Sequence, residues 1–267
     1  MHNSKLVQQV FDTGYCVLEG FFGQQVREQI VSVLHKVWTD AECPSMGGVF
    51  GFVLHPLLKF APEVAPFYAQ AEIIDLMAEV LQDEVRLAHS GAILCDETRS
   101  FCHWHCHLNG DRPNQWYPKR KNHHGVDRLL CNVYLHGSDS ATGELLVWPR
   151  KTTDSWEMPF DDLLNEWNGQ AVVACPPGSA VIFDTALFHA ARRPTQAGHR
   201  YIWGGHYQGK NNLTSHREDN WFESSLIEQY RQDYPLFASL TDISPSLVTE
   251  PEISRTHLID PLVTPHE

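Results

Sequence analysis

The sequence predicts a mainly β fold, a sandwich or a barrel, with helices flanking it near the N-terminus. From Val85 onward, short runs rich in β-forming residues follow one another at close spacing, and turn-forming residues separate them, as in residues 137–143 and 176–178. Two apolar patterns of helical period precede these runs. Many short strands with turn signals between them are typical of all-β architectures. The 267 residues suffice for one such domain with helical additions.

The N-terminal third contains the predicted helices. Residues 13–22 are predicted to form a short strand that enters a loop. Residues 24–38 place valine, leucine and isoleucine at helical spacing, and residues 63–81 repeat that pattern. Both helical segments are expected to pack on the β domain rather than to bind a ligand.

The rest of the chain is predicted to form the β domain. Eight runs are predicted as strands: 86–95, 99–107, 128–135, 144–149, 171–175, 179–184, 187–191 and 200–207. We therefore expect a single domain over residues 1–240, in which helices within 24–82 pack on a barrel formed by about 85–208. Residues 241–267 are proline-containing and are predicted to be a partly ordered tail.

Composition excludes several classes of partner. Twenty Lys and Arg residues against 33 Asp and Glu residues give a net charge of −13, which repels nucleic acid and anionic membranes. No apolar run is long enough to cross a membrane, and the first residues lack the layout of a signal peptide. Seven scattered cysteines without CxxC spacing favour a reduced, cytoplasmic chain. A small-molecule substrate is the expected partner, and the oligomeric state is left open.

Clustered histidines are the first chemical signal. The chain has 16 histidines, and three of them alternate along one predicted strand at His103, His105 and His107. Side chains alternate along a strand, so these three share one face, with about 6.6 Å between successive positions. Two imidazoles so placed can converge on one cation. Such a pair is weak evidence by itself, because solvent-facing histidines are common.

A second signal lies 82 residues downstream of His107. An apolar strand at residues 179–184 turns into the next strand at His189, and Arg200 follows 11 residues later at the start of another strand. A histidine and an arginine at neighbouring strand ends can face one cavity, where a guanidinium matches a carboxylate. Taken alone, this pair is better explained as a structural histidine in a hairpin and a solvated arginine.

Together these passages resemble the phytanoyl-CoA dioxygenase family of iron(II)- and 2-oxoglutarate-dependent oxygenases, which includes ectoine hydroxylases. The resemblance runs from about residue 10 to about 208, and its four passages occur in the family's order. They are Gly14 to Phe22, the Trp104-His105-x-His107 stretch, Gly143 to Pro149, and Pro177-Gly178-Ser179 through His189 to Arg200. Each passage is short, and their common order and spacing give the resemblance its specificity.

The resemblance implies a double-stranded β-helix, that is, a jelly-roll, cupin-like barrel, around an iron(II) site that uses 2-oxoglutarate and dioxygen. It selects His105 and His189 as metal ligands and Arg200 as the partner of the 2-oxoglutarate carboxylate. His103 falls outside the matching stretch and is assigned to the surroundings of the metal. Asn132 and Tyr134 alternate inward on a predicted barrel strand and are candidate contacts to 2-oxoglutarate or substrate.

The sequence departs from the family at the third metal ligand. His107 stands where the family has a carboxylate, so the site is predicted to hold its metal by three histidines. Asp111 is a second candidate, because a tight turn could return its carboxylate to the metal. Arg150 and Lys151 also replace the Gly-Ser-His that ends the family's central segment.

Four functional alternatives follow from this departure. Three-histidine oxygenases of the cysteine dioxygenase kind work without 2-oxoglutarate. Three histidines with an open position also suit zinc and a hydrolase or lyase reaction. The third alternative is a barrel that binds a metal but has no catalytic activity, and the fourth is an inactive relative that has lost its metal. The favoured hypothesis is an iron(II)/2-oxoglutarate oxygenase that oxidises, most simply hydroxylates, a small molecule.

Overall fold

The computed structural model describes residues 2–40, 47–107, 126–154, 158–211 and 225–242. Seven α-helices and ten strands lie in this part of the chain. The helices are α1 (His2–Thr13), α2 (Gln24–Asp40), α3 (Leu57–Phe60), α4 (Ala65–Tyr68), α5 (Ala71–Leu81), α6 (Ser225–Asp233) and α7 (Pro235–Leu240), with a short 3-10 helix at Pro62–Val64. The strands are β1 (Tyr15–Leu18), β2 (Phe52–Leu54), β3 (Val85–Cys95), β4 (Cys102–His105), β5 (Arg128–Tyr134), β6 (Leu145–Val147), β7 (Ala171–Val173), β8 (Ser179–Asp184), β9 (His189–Ala191) and β10 (Arg200–Gly209).

The strands form two antiparallel sheets. The larger sheet has the order β1-β8-β5-β10-β3-β2, and the smaller has the order β4-β9-β6-β7. The chain alternates between the sheets, since β3, β5, β8 and β10 lie in one and β4, β6, β7 and β9 in the other. This arrangement is a double-stranded β-helix with flanking helices, which confirms the predicted fold class.

Alternation along the strands separates two cores. The helix-facing side of the larger sheet carries Leu129, Cys131 and Val133 of β5, which pack with buried residues of the N-terminal helices. The opposite side carries Leu130 and Tyr134, which pack between the two sheets. The helices cover one face of the larger sheet, and the space between the sheets is the barrel interior.

The interior face of the larger sheet consists of five rows across β5, β10 and β3. In each row a residue of β10 lies between one of β5 and one of β3. Gln208 lies between Arg128 and Arg86, His206 between Leu130 and His89, Gly204 between Asn132 and Gly91, and Ile202 between Tyr134 and Ile93. In the last row Arg200 of β10 lies beside Cys95 of β3. A side chain at Gly204 would collide with β5, since its Cβ would lie 1.9 Å from the Cys131 carbonyl oxygen. Glycine at position 204 therefore allows β10 to lie close to β5.

Several elements differ from the sequence prediction. The helix predicted over 63–81 is interrupted at residues 69–70, and only Ala71–Leu81 forms its long part. The predicted strand 99–107 is regular only over Cys102–His105. Helix α1, strand β2 and the helices α6 and α7 were not predicted. Residues 243–267 of the predicted tail lie outside the described residues, so the tail and the domain bounds stay predictions. No described helix has the length and apolar character needed to span a membrane.

Candidate metal centre

Strands β4 and β9 position three histidines at one end of the barrel interior. The two strands are antiparallel neighbours, and their register places His105 directly opposite His189. His107 follows β4, where its backbone N–H donates to the Thr185 carbonyl at 2.7 Å. The backbone therefore fixes all three Cα positions before any metal binds.

The three imidazoles converge on one point. One ring nitrogen from each of His105, His107 and His189 lies within 4.8 Å of those of the other two. Nε2 of His107 is 3.2 Å from Nε2 of His189. When two nitrogens bind the same metal ion at about 2.1 Å and the two bonds are at right angles, the nitrogens are about 3 Å apart. The geometry is that of a three-nitrogen site with room for further ligands.

Carbonyl oxygens set the orientation of two of these rings. Nδ1 of His105 lies 2.8 Å from the His103 carbonyl oxygen, and Nδ1 of His189 lies 3.0 Å from the Leu187 carbonyl oxygen. A carbonyl can only accept a hydrogen bond, so each Nδ1 carries the proton. The Nε2 lone pairs are consequently left for the metal, which is the usual arrangement of metal-binding histidines.

Burial keeps the two rings neutral. The pKa of His189 is lowered to about 3, first by burial and then by the neighbouring His107. Burial, with His189 nearby, also lowers the pKa of His105 well below its usual value. Neutral imidazole is the form that binds a metal, so the site is ready for a cation at neutral pH.

These lowered pKa values predict that acidification destabilises the metal-free protein. The unfolded chain takes up protons on its histidines near pH 6.5, whereas folded His189 does so only near its pKa of about 3. Between these values the unfolded state binds more protons, so stability falls as pH falls. We expect the urea midpoint to drop from pH 7.5 to pH 5, less steeply in His189→Leu. A midpoint independent of pH would contradict this.

Arg200 lies inside the barrel and is only 3% exposed. Its Nη1 donates to the Thr142 carbonyl oxygen at 3.0 Å, and its guanidinium lies 5.5 Å from the centre of the Tyr134 ring. The Arg200 Nε is buried without a hydrogen-bond partner in the described structure. Such an orphaned buried donor indicates a missing acceptor, and a carboxylate fits both its charge and its planar shape.

A second buried arginine lies close to Arg200. Arg99 is 2% exposed, and its terminal nitrogens donate to backbone carbonyls, among them those of Ser100 and Arg192. Burial, together with the charge of Arg200, lowers the pKa of Arg99. No carboxylate among the described residues forms an ion pair with either arginine. Among the described residues, the two arginines therefore place positive charge at this end of the interior without a carboxylate in direct contact.

The other predicted site residues take different positions. Tyr134 and Asn132 both face the interior, as expected, with Tyr134 against Arg200 and Asn132 half-buried in the central row. His103 is 3% exposed and packs against Phe50, outside the three-histidine group. Trp104 faces away from the site and stacks on Trp167. Asp111 lies outside the described residues.

Sequence reasoning missed a second group of interior histidines. His206 of β10 lies with its ring centre 5.3 Å from that of His107, and His89 of β3 lies 4.9 Å beyond it. The ring of His55 packs on His89 at 3.6 Å. Alternation from Arg200 could have placed His206 on the interior face, since the two are separated by an even number of residues. Nothing local in the sequence pairs it with His89.

No protein-family model matches the sequence, and no curated protein matches it. Solved structures do match. SnoK, a non-haem α-ketoglutarate-dependent carbocyclase from nogalamycin biosynthesis, aligns with a TM-score of 0.63 at 14% identity, over 77% of this chain and 84% of SnoK. HygX from Streptomyces hygroscopicus with nickel and 2-oxoglutarate bound has a TM-score of 0.62 at 15% identity, over 77% and 86%. EctD from S. alaskensis with 2-oxoglutarate and 5-hydroxyectoine has a TM-score of 0.59 at 17% identity, over 78% and 77%.

These alignments establish a shared fold. They span more than three quarters of the chain in each case. The fold is thus that of the non-haem, 2-oxoglutarate-binding enzymes among these structures.

Proposed function

We propose that the protein is a non-haem iron(II)- and 2-oxoglutarate-dependent oxygenase that oxidises a small molecule, most simply by hydroxylation. The observation that carries the proposal is the convergence of three imidazoles within a barrel that also buries an arginine whose Nε has no hydrogen-bond partner among the described residues. The three-histidine group supplies the metal ligands, and Arg200 supplies the carboxylate partner. The resemblance to the phytanoyl-CoA dioxygenase family supports the same roles for His105, His189 and Arg200.

Likeness of fold adds support from outside the chain. Structures of HygX contain iron in one case and nickel with 2-oxoglutarate in another, and EctD has been solved with iron and with 2-oxoglutarate. A fold alone does not determine function, so the argument depends on the site. The donor set of His105, His107 and His189 fits a divalent metal, and the position of Arg200 fits a diacid.

The roles of the chain's residues follow from their contacts. His105, His107 and His189 would hold iron(II) and leave several coordination positions open. Bound iron would supply the oxidation of substrate by dioxygen, with 2-oxoglutarate converted to succinate and carbon dioxide. Arg200 would bind the distal carboxylate of 2-oxoglutarate, with Tyr134 packed against the guanidinium. Asn132 would contact 2-oxoglutarate or substrate from the central row, and the buried interior would exclude water.

The three-histidine set also suits zinc and oxygenases that need no 2-oxoglutarate. Arg200 distinguishes these functions, because neither a zinc-bound hydroxide nor dioxygen needs a buried guanidinium remote from the metal. The orphaned Nε of Arg200 favours the 2-oxoglutarate-dependent reaction over both.

Replacement of Arg200 tests the co-substrate. A hydrogen bond to a charged group contributes about 1.5–3 kcal/mol, so Arg200→Ala should weaken 2-oxoglutarate binding by about one to two orders of magnitude. Arg200→Lys should recover only part, since an ammonium lacks the planar fork. Anaerobic titration with iron(II) and 2-oxoglutarate, followed by the weak visible charge-transfer band of the chelate, measures both.

The matched control is Arg193→Ala, because Arg193 is exposed and only seven residues away in sequence. It should bind 2-oxoglutarate as the unaltered protein does. If the iron-loaded protein shows no chelate band and forms no succinate under any condition, the 2-oxoglutarate-dependent function is wrong, and the alternatives without this co-substrate replace it.

A further inference from the structure

The end of the barrel interior around Arg200 contains two buried guanidinium groups. Arg99 is 2% exposed and Arg200 is 3% exposed. Burial, and then the charge of Arg200, lower the pKa of Arg99. The Nε atom of each side chain is buried without a hydrogen-bond partner among the described residues. Two like charges enclosed together are unfavourable until an anion compensates them.

One turn brings the two side chains together. Arg200 begins β10, and its Nη1 donates to the Thr142 carbonyl oxygen at 3.0 Å. Gly143, the next residue, has a φ of +80°, and a Cβ added there would lie 2.8 Å from Nη2 of Arg99. Both guanidinium groups therefore lie against the turn at residues 142 and 143. A larger residue at position 143 would displace Arg99 from this position.

Backbone carbonyls hold Arg99 in place. Its Nη1 donates to the carbonyl oxygens of Ser100 at 3.0 Å and Ala191 at 3.4 Å, and its Nη2 donates to the carbonyl oxygen of Arg192. These contacts fix the guanidinium before any ligand binds, but a carbonyl oxygen has no net charge. The positive charge of Arg99 can therefore still attract an anion, although most of its donors are used.

The described side chains around the two arginines do not supply this anion. The acid of the turn, Asp139, is exposed, and its carboxylate accepts hydrogen bonds from the backbone N–H groups of Ala141 and Thr142 rather than from an arginine. The Cys95 thiol, opposite Arg200 in register, donates to the Arg200 carbonyl oxygen at 3.4 Å, so it is protonated and uncharged. A ligand is therefore expected to bring the negative charge.

We propose that Arg99 is a second cation of the co-substrate site and that its charge, together with Arg200, binds the distal carboxylate of 2-oxoglutarate. This inference rests on the proposed function, in which Arg200 binds that carboxylate directly. Arg200 supplies the hydrogen bonds, and Arg99 supplies charge from a fixed position. Unit charges act more strongly in the protein interior than in water, so the pair selects an anionic ligand over a neutral ligand of the same shape.

Glutarate tests the site without a metal, because it has both carboxylates of 2-oxoglutarate but lacks the keto oxygen that would chelate iron. Its binding to the metal-free protein is measured by the rise in the thermal unfolding midpoint at constant ionic strength. The uncharged diamide of glutarate is the control ligand. Glutarate should raise the midpoint and the diamide should not. Equal midpoints with the two compounds would overturn the proposal.

Two substitutions isolate the charge at position 99. Arg99→Gln removes the charge, whereas Arg99→Lys keeps it, and neither residue reproduces the planar fork that reaches three carbonyls. Glutarate binding should weaken at least about tenfold in Arg99→Gln and clearly less in Arg99→Lys. Equal weakening in the two variants would mean that Arg99 only holds the surrounding loops, and the proposal would be wrong.

Arg192→Gln is the matched control, since it removes one positive charge from the same region. The Arg192 guanidinium pairs with Glu144 and Glu166, so its charge is already compensated. Its backbone carbonyl, which accepts from Arg99, is retained in the variant. Arg192→Gln should bind glutarate as the unaltered protein does, and a loss equal to that of Arg99→Gln would contradict a specific role for Arg99.

A measurement on the unaltered chain decides the matter if Arg99→Gln does not fold. Arginine-labelled protein is titrated with glutarate, and the Nε resonances are followed by NMR, with Arg99→Lys and Arg200→Lys used for assignment. The resonances of both arginines should shift. A shift confined to Arg200 would overturn the proposal.

The two proposals fail separately. Glutarate binding is recorded without iron, whereas the proposed function depends on the iron–2-oxoglutarate band and on succinate. Glutarate binding that depends on Arg99 supports the site even if the iron-loaded protein forms no chelate. An affinity for 2-oxoglutarate that is unchanged in Arg99→Gln, measured by that band, would overturn the role of Arg99 and leave the proposed function intact.

Discussion

Replacing either His105 or His189 with alanine should abolish iron(II) retention and turnover. Each ring contributes one of three converging nitrogens, and each is oriented by a backbone carbonyl. Loss of a partner outside the ligand set typically lowers metal affinity 10- to 100-fold, so loss of a ligand should lower it by more than about 100-fold. Metal content after dialysis and the dissociation constant for iron(II) measure the effect.

His103→Ala is the matched control for both variants. His103 lies on the same strand, is buried, and packs against Phe50 and the edge of the His105 ring, but it is not one of the three converging ligands. Its contribution to His105 is a backbone carbonyl, which alanine retains. Iron binding should therefore stay largely intact. Equal loss of iron in His103→Ala, His105→Ala and His189→Ala would mean that the ligands are wrongly identified.

Local periodicity explains why the sequence could indicate the three-histidine group. His105 and His107 lie two apart, so one strand places both on one face. His189 begins a strand bounded by recognisable turns, and the resemblance supplied its partnership with His105. The structure then shows that the register of β4 and β9 sets His105 opposite His189. That register depends on contacts 84 residues apart, which no local pattern encodes.

The proximity of the second group of histidines could not be predicted from local sequence periodicity. His89 and His206 lie in one row only because β3 and β10 pair, and the register shifts between His206 and Tyr207. A shift by one residue moves every following side chain to the other face. Without the position of this irregularity, alternation cannot relate Arg86 to His89. The polarity of the interior therefore emerged from the structure alone.

The helical errors have a similar physical origin. Residues 63–81 keep a helical apolar period throughout, which is why one helix was predicted. Pro66, which lacks a backbone N–H, lies in the first turn of the separate short helix α4, and the chain straightens at residues 69–70 before Ala71 begins α5. Burial of Tyr68, whose hydroxyl donates to the Gly204 carbonyl at 2.8 Å, holds this interruption against β10. Tertiary contacts here outweigh local propensity.

His107 is the position at which the greatest change in metal preference is expected. Imidazole suits copper, nickel and zinc as well as iron, and an all-nitrogen site follows the general affinity order in which copper and nickel exceed iron. Protein purified without added metal should therefore contain one of these competitors. His107→Asp should shift the preference toward iron, because a carboxylate favours harder ions and adds a negative charge. Competition titrations with iron(II), zinc and nickel measure this shift.

The geometry also limits how well aspartate can replace this histidine. His107 reaches the other ligands with Nε2, which lies one bond farther from Cα than an aspartate oxygen does. Its backbone cannot readily approach, because the N–H is bound to the Thr185 carbonyl at 2.7 Å. His107→Asp should thus bind iron more weakly than the unaltered protein and lose much of its activity. His107→Ala, which leaves two nitrogens, should retain the least metal. Should His107→Ala keep full metal content and activity, His107 is not a ligand, and Asp111 or a two-histidine site becomes the better assignment.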